Sequence, residues 1–153
     1  MDYIAKATEV LHQFKLKATR PRVAILAYLM THHNHPTVEV IAQQLHGDGK
    51  KLATIYNTLK LLEQHGVVIE LRNGDHSTHY DYFSHPHFHI ICAKCGKIAD
   101  VEYPNADRVE TQMLAEAKKQ TGYISQWSHV EIYGLCPVCQ RKQVAHDTAK
   151  KLE

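Results

Sequence analysis

The chain has 153 residues, of which 44% are hydrophobic, so it can form one ordinary domain or two small ones with a packed core. No apolar run reaches the roughly 20 residues of a membrane span, and the acid-containing N-terminus is unlike a signal peptide, which predicts a cytoplasmic protein without a membrane partner. The net charge is +2, and residues 1–83 and 84–153 each hold nine Lys or Arg and eight Asp or Glu, so bulk charge gives only weak support for nucleic-acid binding.

The first 65 residues show apolar positions at helical spacing, interrupted by turn-forming residues. Pro21 suits the first turn of a helix, Thr37 is a plausible N-cap, and Gly47 and Gly66 are placed to end helices. The predicted helices cover about residues 3–14, 21–32, 38–46 and 53–65.

The pattern then changes to the period of a strand. The segments "VVIELR" and "THYDYF" flank Asn73-Gly74-Asp75, which is a strong hairpin signal. Several short helices followed by a two-stranded ribbon predict a winged helix-turn-helix domain over residues 1–83.

The second half starts near Ser84, and "HIICAKCGKIADVEY" is typical of a strand, a turn and a strand. Asn105 is expected to cap a helix over about 106–120, with an apolar side that includes Val109 and Met113, and Gly122 is expected to close it. A further strand is predicted in "YISQWSHVEIYG", and the polar tail is expected to be frayed or loosely helical. Residues 84–153 therefore form a small α+β domain, and the whole chain belongs to the α+β class.

Four cysteines form two Cys-x-x-Cys pairs separated by forty residues. Two such pairs supply four thiolates, the closed tetrahedral set that structural zinc prefers, while buried free thiols, a redox pair or disulfides are the alternatives. A closed zinc site would contribute folding energy to a small domain, and it leaves no coordination position for catalysis. The predicted zinc ligands are Cys92, Cys95, Cys136 and Cys139.

A second group of metal-ligating residue types surrounds the first cysteine pair. His87 and His89 lie one residue apart on a predicted strand, so their side chains project from the same face. Asp81, Asp100 and His35 are further candidates, although a lone Asp near a turn usually caps or solvates it. Nitrogen and oxygen ligands without thiolate suit Fe(II), Mn(II) or Zn(II), and less clearly copper or nickel.

Five segments together resemble the ferric uptake regulator family of metal-dependent repressors. They are "ATRPRVAIL", "HPTVEVIA", "LATIYNTLKLLEQHGVV", "HFHIICAKCGKIADVE" and "EIYGLCPVC", and the resemblance spans roughly residues 3–142. It implies an N-terminal winged-helix domain, a C-terminal α+β dimerisation domain, and a homodimer that binds a double-stranded DNA operator. It implies neither an enzyme nor an organic small-molecule substrate.

Within the family, the chain is most similar to the peroxide-sensing branch, whose regulatory metal is held by three histidines and two aspartates. The resemblance assigns these positions to His35, Asp81, His87, His89 and Asp100, whereas iron- and zinc-sensing relatives more often carry Glu where this chain has Asp81. It implies that peroxide, in the presence of bound Fe(II), oxidises a ligand histidine, His35 or His87, and that the metal is then released. Bound Mn(II) would support repression without reacting readily.

One departure from the iron-sensing relatives concerns a further metal site that they often build beside the paired histidines. Pro86 and Phe88 stand there in this chain, and neither side chain can bind a metal. No third metal site is therefore predicted.

The fourth predicted helix is the candidate for recognition of DNA in the major groove. Side chains on it that are expected to face outward are Thr54, Tyr56, Asn57, Thr58 and Lys60. Phosphate contacts, which position the protein without specifying sequence, are expected from Arg20, Arg22, Lys50 and Lys51, and Arg72 lies on the predicted wing.

Three alternatives remain open. A repressor of the same family could respond to Fe, Mn or Zn availability without sensing peroxide. A non-haem iron oxygenase would also use two histidines and a carboxylate, but the helical first 65 residues do not predict its barrel of strands. A zinc-stabilised interaction module without DNA binding is disfavoured by the Asn-Gly hairpin that follows the fourth helix.

Overall fold

The computed structural model describes residues 2–45, 51–72, 77–82 and 87–150, with side chains described up to residue 143. Within these ranges, residues 2–45, 51–72 and 78–82 form an N-terminal unit, and residues 77 and 87–150 form a C-terminal unit. The predicted boundary between residues 83 and 84 lies outside the described residues. In the described ranges, no helix combines the length and the apolar character needed to cross a lipid bilayer.

The N-terminal unit consists of four helices followed by a two-stranded sheet. Its elements are α1 (Tyr3–Gln13), α2 (Arg20–Thr31), α3 (Val38–Gln44), α4 (Leu52–Gln64), β1 (Val68–Arg72) and β2 (Thr78–Tyr82). The four predicted helices are thus confirmed, with shifts of a few residues at their ends. Gly47, expected to end the third helix, lies outside the described residues.

Local sequence explains where these helices begin and end. The Asp2 carboxylate accepts hydrogen bonds from the first N–H groups of α1, and the Thr37 hydroxyl accepts one from Val40 N at 3.4 Å at the start of α3. Pro21 occupies the first turn of α2, where its missing N–H costs nothing. Gly66 follows α4 with a φ of 67°, a left-handed conformation that favours glycine.

The core of the N-terminal unit is formed by the apolar faces of its helices together with the sheet. Burial of these side chains is the dominant stabilising term, at roughly 1.5–3 kcal/mol for each large aliphatic residue. Fully buried members are Leu11, Ile25, Leu26, Ile41, Ile55, Leu59, Leu62 and Val68.

The predicted hairpin is confirmed as an antiparallel pair of strands. Its register joins Val68 to Tyr82 and Arg72 to Thr78, while residues 73–76 of the predicted turn lie outside the described residues. A hydrogen bond also joins β2 to the turn before α3: the N–H of Tyr80 donates to Pro36 O at 3.1 Å.

The C-terminal unit contains β3 (Phe88–Cys92), β4 (Ile98–Val101), α5 (Ala106–Thr121), β5 (Glu131–Gly134) and α6 (Pro137–Lys150). Its sheet has the order β4-β3-β5, with β3 antiparallel to β4 and parallel to β5. Because β3 is the central strand, its residues pair with β4 on one side and with β5 on the other. The register places His89 opposite Asp100, and Cys92 opposite Gly134.

Two sequence expectations for this unit need correction. The predicted strand over residues 123–134 is limited to β5, whereas the tail, expected to be frayed or loosely helical, is helical in α6 as far as Lys150. Asn105 precedes α5 with a φ of 70°, and its side chain makes no capping hydrogen bond. Its backbone carbonyl instead accepts from the N–H groups of Arg108 and Val109, at 3.0 and 3.1 Å.

Candidate functional site

The four cysteines of the C-terminal unit converge as the sequence predicts. Cys92 ends β3, Cys95 lies in the following turn, Cys136 follows β5, and Cys139 lies in the first turn of α6. Their sulfur atoms all lie within 4.8 Å of one another, and all four are free thiols rather than disulfides. The Sγ atoms of Cys95 and Cys136 are 3.7 Å apart, close to the ~3.8 Å edge of a tetrahedron with Zn–S bonds of about 2.3 Å.

The thiols of this cluster differ in acidity for physical reasons. Hydrogen bonds from the backbone N–H groups of Cys136 and then Cys95 lower the pKa of Cys92 to about 6. The N–H of Cys139 lowers the pKa of Cys136, whereas burial, and then hydrogen bonds with the neighbouring sulfurs, raise the pKa of Cys139 to about 12. The cluster is therefore prepared to carry negative charge, but only a cation allows all four sulfurs to ionise together. The residues fit a structural zinc ion.

A second cluster in the C-terminal unit combines two imidazoles and one carboxylate. His87 precedes β3, His89 lies within it, and Asp100 is the cross-strand partner of His89 on β4. The Nε2 atoms of His87 and His89 are 3.1 Å apart, and His89 Nε2 is 3.3 Å from Asp100 Oδ1. The first distance is close to the ~3.0 Å between adjacent ligands that each lie about 2.1 Å from one ion.

Burial distinguishes the members of this second cluster. His89 is fully buried and His87 is 9% exposed, whereas the Asp100 side chain is 35% exposed. The rings of His87 and His89 meet edge to face, with centroids 4.6 Å apart. Nitrogen and oxygen donors without thiolate suit Fe(II), Mn(II) or Zn(II).

The two remaining predicted ligands, His35 and Asp81, belong to the N-terminal unit, and both are buried. His35 has a φ of 47°, a left-handed conformation that is uncommon outside glycine and that histidine and asparagine adopt more readily than most residues. Its carbonyl accepts a hydrogen bond of 2.5 Å from Nδ1 of His79, on the same strand as Asp81. Because a carbonyl can only accept, Nδ1 of His79 must carry the proton.

The contribution of His79 was not apparent from the sequence. His79 is only half-exposed, and its hydrogen bond joins β2 to the turn that contains His35. The alternation of strand residues in "THYDYF" places His79 and Asp81 on the same face, which is the one signal that could have indicated its role.

The candidate DNA contacts all lie in the N-terminal unit, and their exposure varies. Most are exposed, including Tyr56 at 53%, while Arg22 and Thr54 are half-buried and Lys50 lies outside the described residues. Thr58 is 5% exposed, so the expectation that it faces outward is wrong. The exposed candidates are Arg20, Lys51, Tyr56, Asn57, Lys60 and Arg72.

Comparisons with known proteins agree with this arrangement. Residues 13–126 match the ferric uptake regulator family. The peroxide-responsive repressor PerR of Staphylococcus aureus is 41% identical over 134 residues, which cover 86% of this chain and 88% of that protein.

Two solved structures extend the comparison to three dimensions. The ferric uptake regulator of Francisella tularensis, solved with iron, is 26% identical with a TM-score of 0.56, and the match covers 83% of this chain and 96% of that chain. The Campylobacter jejuni peroxide stress regulator is 24% identical with a TM-score of 0.61, and the match covers 91% and 100% of the two chains. The second likeness shows a shared fold.

Proposed function

The chain belongs to the ferric uptake regulator family, and we propose that it is a metal-dependent, DNA-binding repressor of transcription that senses hydrogen peroxide. The observation that carries this proposal is the 41% identity with a peroxide-responsive repressor over 86% of the chain. The two clusters of metal-ligating side chains in the C-terminal unit support it independently. The alternative within the family is a repressor that responds to Fe, Mn or Zn availability alone.

The two clusters differ in the softness of their ligands, and this difference decides which metal each would hold. The four thiolates would hold a structural zinc ion that joins the β3–β4 turn to the start of α6, and they leave no open position on it. The His87, His89 and Asp100 group would hold the regulatory Fe(II) or Mn(II) together with His35 and Asp81 from the N-terminal unit. The identity of residue 81 as Asp rather than Glu favours the peroxide-sensing branch.

In this proposal the five regulatory ligands link metal binding to DNA binding. Because two ligands come from the N-terminal unit and three from the C-terminal unit, metal occupancy would favour one arrangement of the two units over others. In a homodimer that arrangement sets the separation of two recognition helices, which must match DNA half-sites about one helical turn apart. Metal would thus shift the population toward the form that binds DNA.

The N-terminal unit supports the DNA-binding part of this proposal. Helix α4 presents Tyr56 and Asn57 to solvent, and the two-stranded sheet follows directly after it, which is the element order of a winged helix-turn-helix domain. Arg72, at the edge of this sheet, is paired with Glu70 at 2.9 Å, so part of its charge is already compensated. A phosphate contact by Arg72 would have to compete with that exposed ion pair.

The C-terminal unit supports a homodimer. Helix α5 buries none of its residues, and its predicted apolar side is open, with Val109 39% and Met113 52% exposed. Ile90 of β3 and Ile132 of β5 are also about two-fifths exposed. Apolar surface of this kind is typical of a face that a second subunit covers.

Peroxide sensing is tested by comparing operator binding of the purified dimer loaded with Fe(II) or with Mn(II), before and after hydrogen peroxide. The proposed ligands would hold Fe(II), which would supply the electrons for cleavage of peroxide, whereas Mn(II) in the same site would react poorly. We expect peroxide to abolish binding of the Fe(II) form only, with one added oxygen atom on a peptide that contains His35 or His87. Loss of DNA binding without that added mass would exclude oxidation of a ligand histidine.

A separate prediction concerns Lys51, which is exposed at the N-cap position of α4. Because a lysine that contacts phosphate adds affinity without sequence information, Lys51→Ala should weaken binding to all duplexes alike, and the slope of log K against log salt should fall by about one. Lys119→Ala, on exposed α5, is the control that should change neither quantity. A changed base preference with an unchanged salt slope would contradict this role for Lys51.

A further inference from the structure

We propose that a hollow between the start of α2 and one side of α4 seats a single phosphate group of the DNA backbone. The hollow has a volume of about 260 Å³ and lies wholly within the N-terminal unit. This inference rests on the proposed function and assigns one recognition element within it. The lining residues, called the phosphate seat below, are Thr19, Pro21, Arg22, Thr54, Asn57 and Thr58.

Thr58 is the residue that indicates a ligand. It is 5% exposed and lines the hollow, and its hydroxyl makes no hydrogen bond with any other part of the chain that the structure describes. Other helical threonines donate their hydroxyl hydrogen bonds to the backbone of the same helix: Thr8 donates to Ile4 O at 2.8 Å, and Thr31 donates to Ala27 O at 3.0 Å. The hydroxyl of Thr58 is not a fully enclosed atom, so it remains accessible at the wall of the hollow and can donate to an acceptor from outside the chain.

The other polar members of the phosphate seat also offer donors. Thr19 occupies the N-cap position of α2, yet its side chain makes no capping hydrogen bond. Within the described residues, Thr54 and Asn57 likewise make no side-chain hydrogen bond, which leaves two hydroxyls and an amide among the residues that line the hollow. A hydroxyl or an amide can donate to any acceptor, so the charge of the surroundings decides which acceptor is favoured.

The charge around the phosphate seat favours an anion. Among the described residues, Arg22 is the only charged one that lines it. Its Nη1 donates to Lys17 O at 3.1 Å, which fixes the guanidinium while leaving most of its donors available. The hollow lies beside the N-terminus of α2, where the first N–H groups and the helix dipole favour negative charge. A phosphodiester supplies acceptor oxygens with one negative charge, which matches this set of donors.

The phosphate seat changes the expected role of two residues on α4. Thr54 and Thr58 lie one turn apart and face the hollow, so they contact the backbone and do not read bases. Tyr56 is exposed on this turn and does not line the hollow, so it remains available for base edges. The seated phosphate would therefore fix the register in which α4 meets the major groove.

The test uses the full-length protein with zinc and Mn(II) and measures fluorescence anisotropy with operator duplexes that each carry one neutral methylphosphonate. Thr58→Val keeps the shape of the side chain and removes the hydroxyl. We expect roughly tenfold weaker binding, by a similar factor for operator and unrelated DNA, because a hydrogen bond to a charged group is lost. One methylphosphonate position should weaken binding of the wild type more than binding of Thr58→Val, which keeps Arg22 beside the phosphate but lacks the hydroxyl.

Controls separate the possible outcomes. Thr8→Val, which removes an exposed hydroxyl from α1, should bind like the wild type, and Thr19→Ala repeats the test should Thr58→Val fold poorly. Wild-type affinity in Thr58→Val, or equal sensitivity to every methylphosphonate, would overturn the phosphate seat and leave the repressor proposal intact. Failure of the wild type to bind any duplex would overturn both.

A second arm distinguishes a backbone phosphate from free phosphate. Inorganic phosphate alone is titrated while the amide NMR signals of Thr19 and Thr58 are followed. We expect shifts only at high concentration, because a single anion lacks the neighbouring contacts that DNA provides. Saturation at low phosphate concentration, with no effect of any methylphosphonate, would show that the hollow binds a free anion instead.

Discussion

Replacing Cys95 by Ser is expected to release zinc and unfold the C-terminal unit while the N-terminal helices remain folded. Cys95 is the exposed member of the four-cysteine cluster, so its replacement removes a ligand with little loss of packing. All four cysteines lie in the C-terminal unit, and that unit buries few apolar side chains of its own. Binding of a structural zinc ion contributes on the order of 10 kcal/mol, as much as the whole stability of an ordinary domain.

The single tryptophan makes this effect measurable in one unit alone. Trp127 belongs to the C-terminal unit, so its fluorescence reports that unit, whereas circular dichroism reports helices of both. We expect Cys95→Ser to show a red-shifted emission, zinc content far below one ion per chain, and partial retention of helical signal. Chelation of zinc from the wild type should produce the same spectrum, and readdition should reverse it.

Thr111→Val serves as the control for this experiment. Thr111 is exposed on α5 in the same unit, and its hydroxyl bonds only to the helix backbone. It should keep full zinc content and the emission of the wild type. If Cys95→Ser retained zinc and the melting temperature of the wild type, the cluster would not be the structural element that we propose.

Much of the fold could be predicted from sequence because its signals are local. Caps such as Thr37, the glycine after α4 and the Asn-Gly turn act over a few residues, so the helices and the hairpin were predicted nearly at their observed bounds. The cysteine cluster was predictable for another reason: two Cys-x-x-Cys pairs can share one ion only if the chain brings them together.

Other features depend on contacts between distant segments and were missed. Thr58 is a polar residue one turn after half-buried Thr54 on α4, and only the structure shows that it is buried, beside the start of α2. The strand β5 is short because only residues 131–134 find a partner in β3. The hydrogen bond between His79 and the His35 carbonyl joins residues 44 positions apart, and no periodicity indicates it.

The regulatory ligands could be predicted only in part from the sequence. The spacing of His87 and His89 predicts a shared face, and the cross-strand pairing of His89 with Asp100 brings the carboxylate to the imidazoles. His35 lies more than fifty positions earlier, so its part in the set depends on the family resemblance and remains a proposal. The left-handed backbone of His35 is an observation that gives this proposal physical support, because such conformations are often kept where function requires them.

Replacing His35 by Ala is expected to abolish the response of operator binding to metal. In the proposed mechanism His35 is the imidazole through which the N-terminal unit binds the regulatory ion. Without it, Asp81 is the one ligand left from that unit, and we expect a single carboxylate to be too weak a link to favour the DNA-binding arrangement. Coupling between two sites typically changes affinity by about 5–150-fold, and we expect the whole of that gain with Mn(II) to be lost. The measurement is the dissociation constant for operator DNA with and without Mn(II).

Two matched variants decide whether the imidazole itself is responsible. His33→Ala removes an exposed histidine two residues away and should keep the full response to Mn(II). His35→Asn tolerates the left-handed backbone at φ 47° and lacks the imidazole, so it should fail as His35→Ala does, with zinc content and Trp127 emission unchanged. If His35→Ala retained the wild-type gain in affinity with Mn(II), then metal would control DNA binding without any ligand from the turn before α3, and the regulatory set would have to be rebuilt around His87, His89 and Asp100.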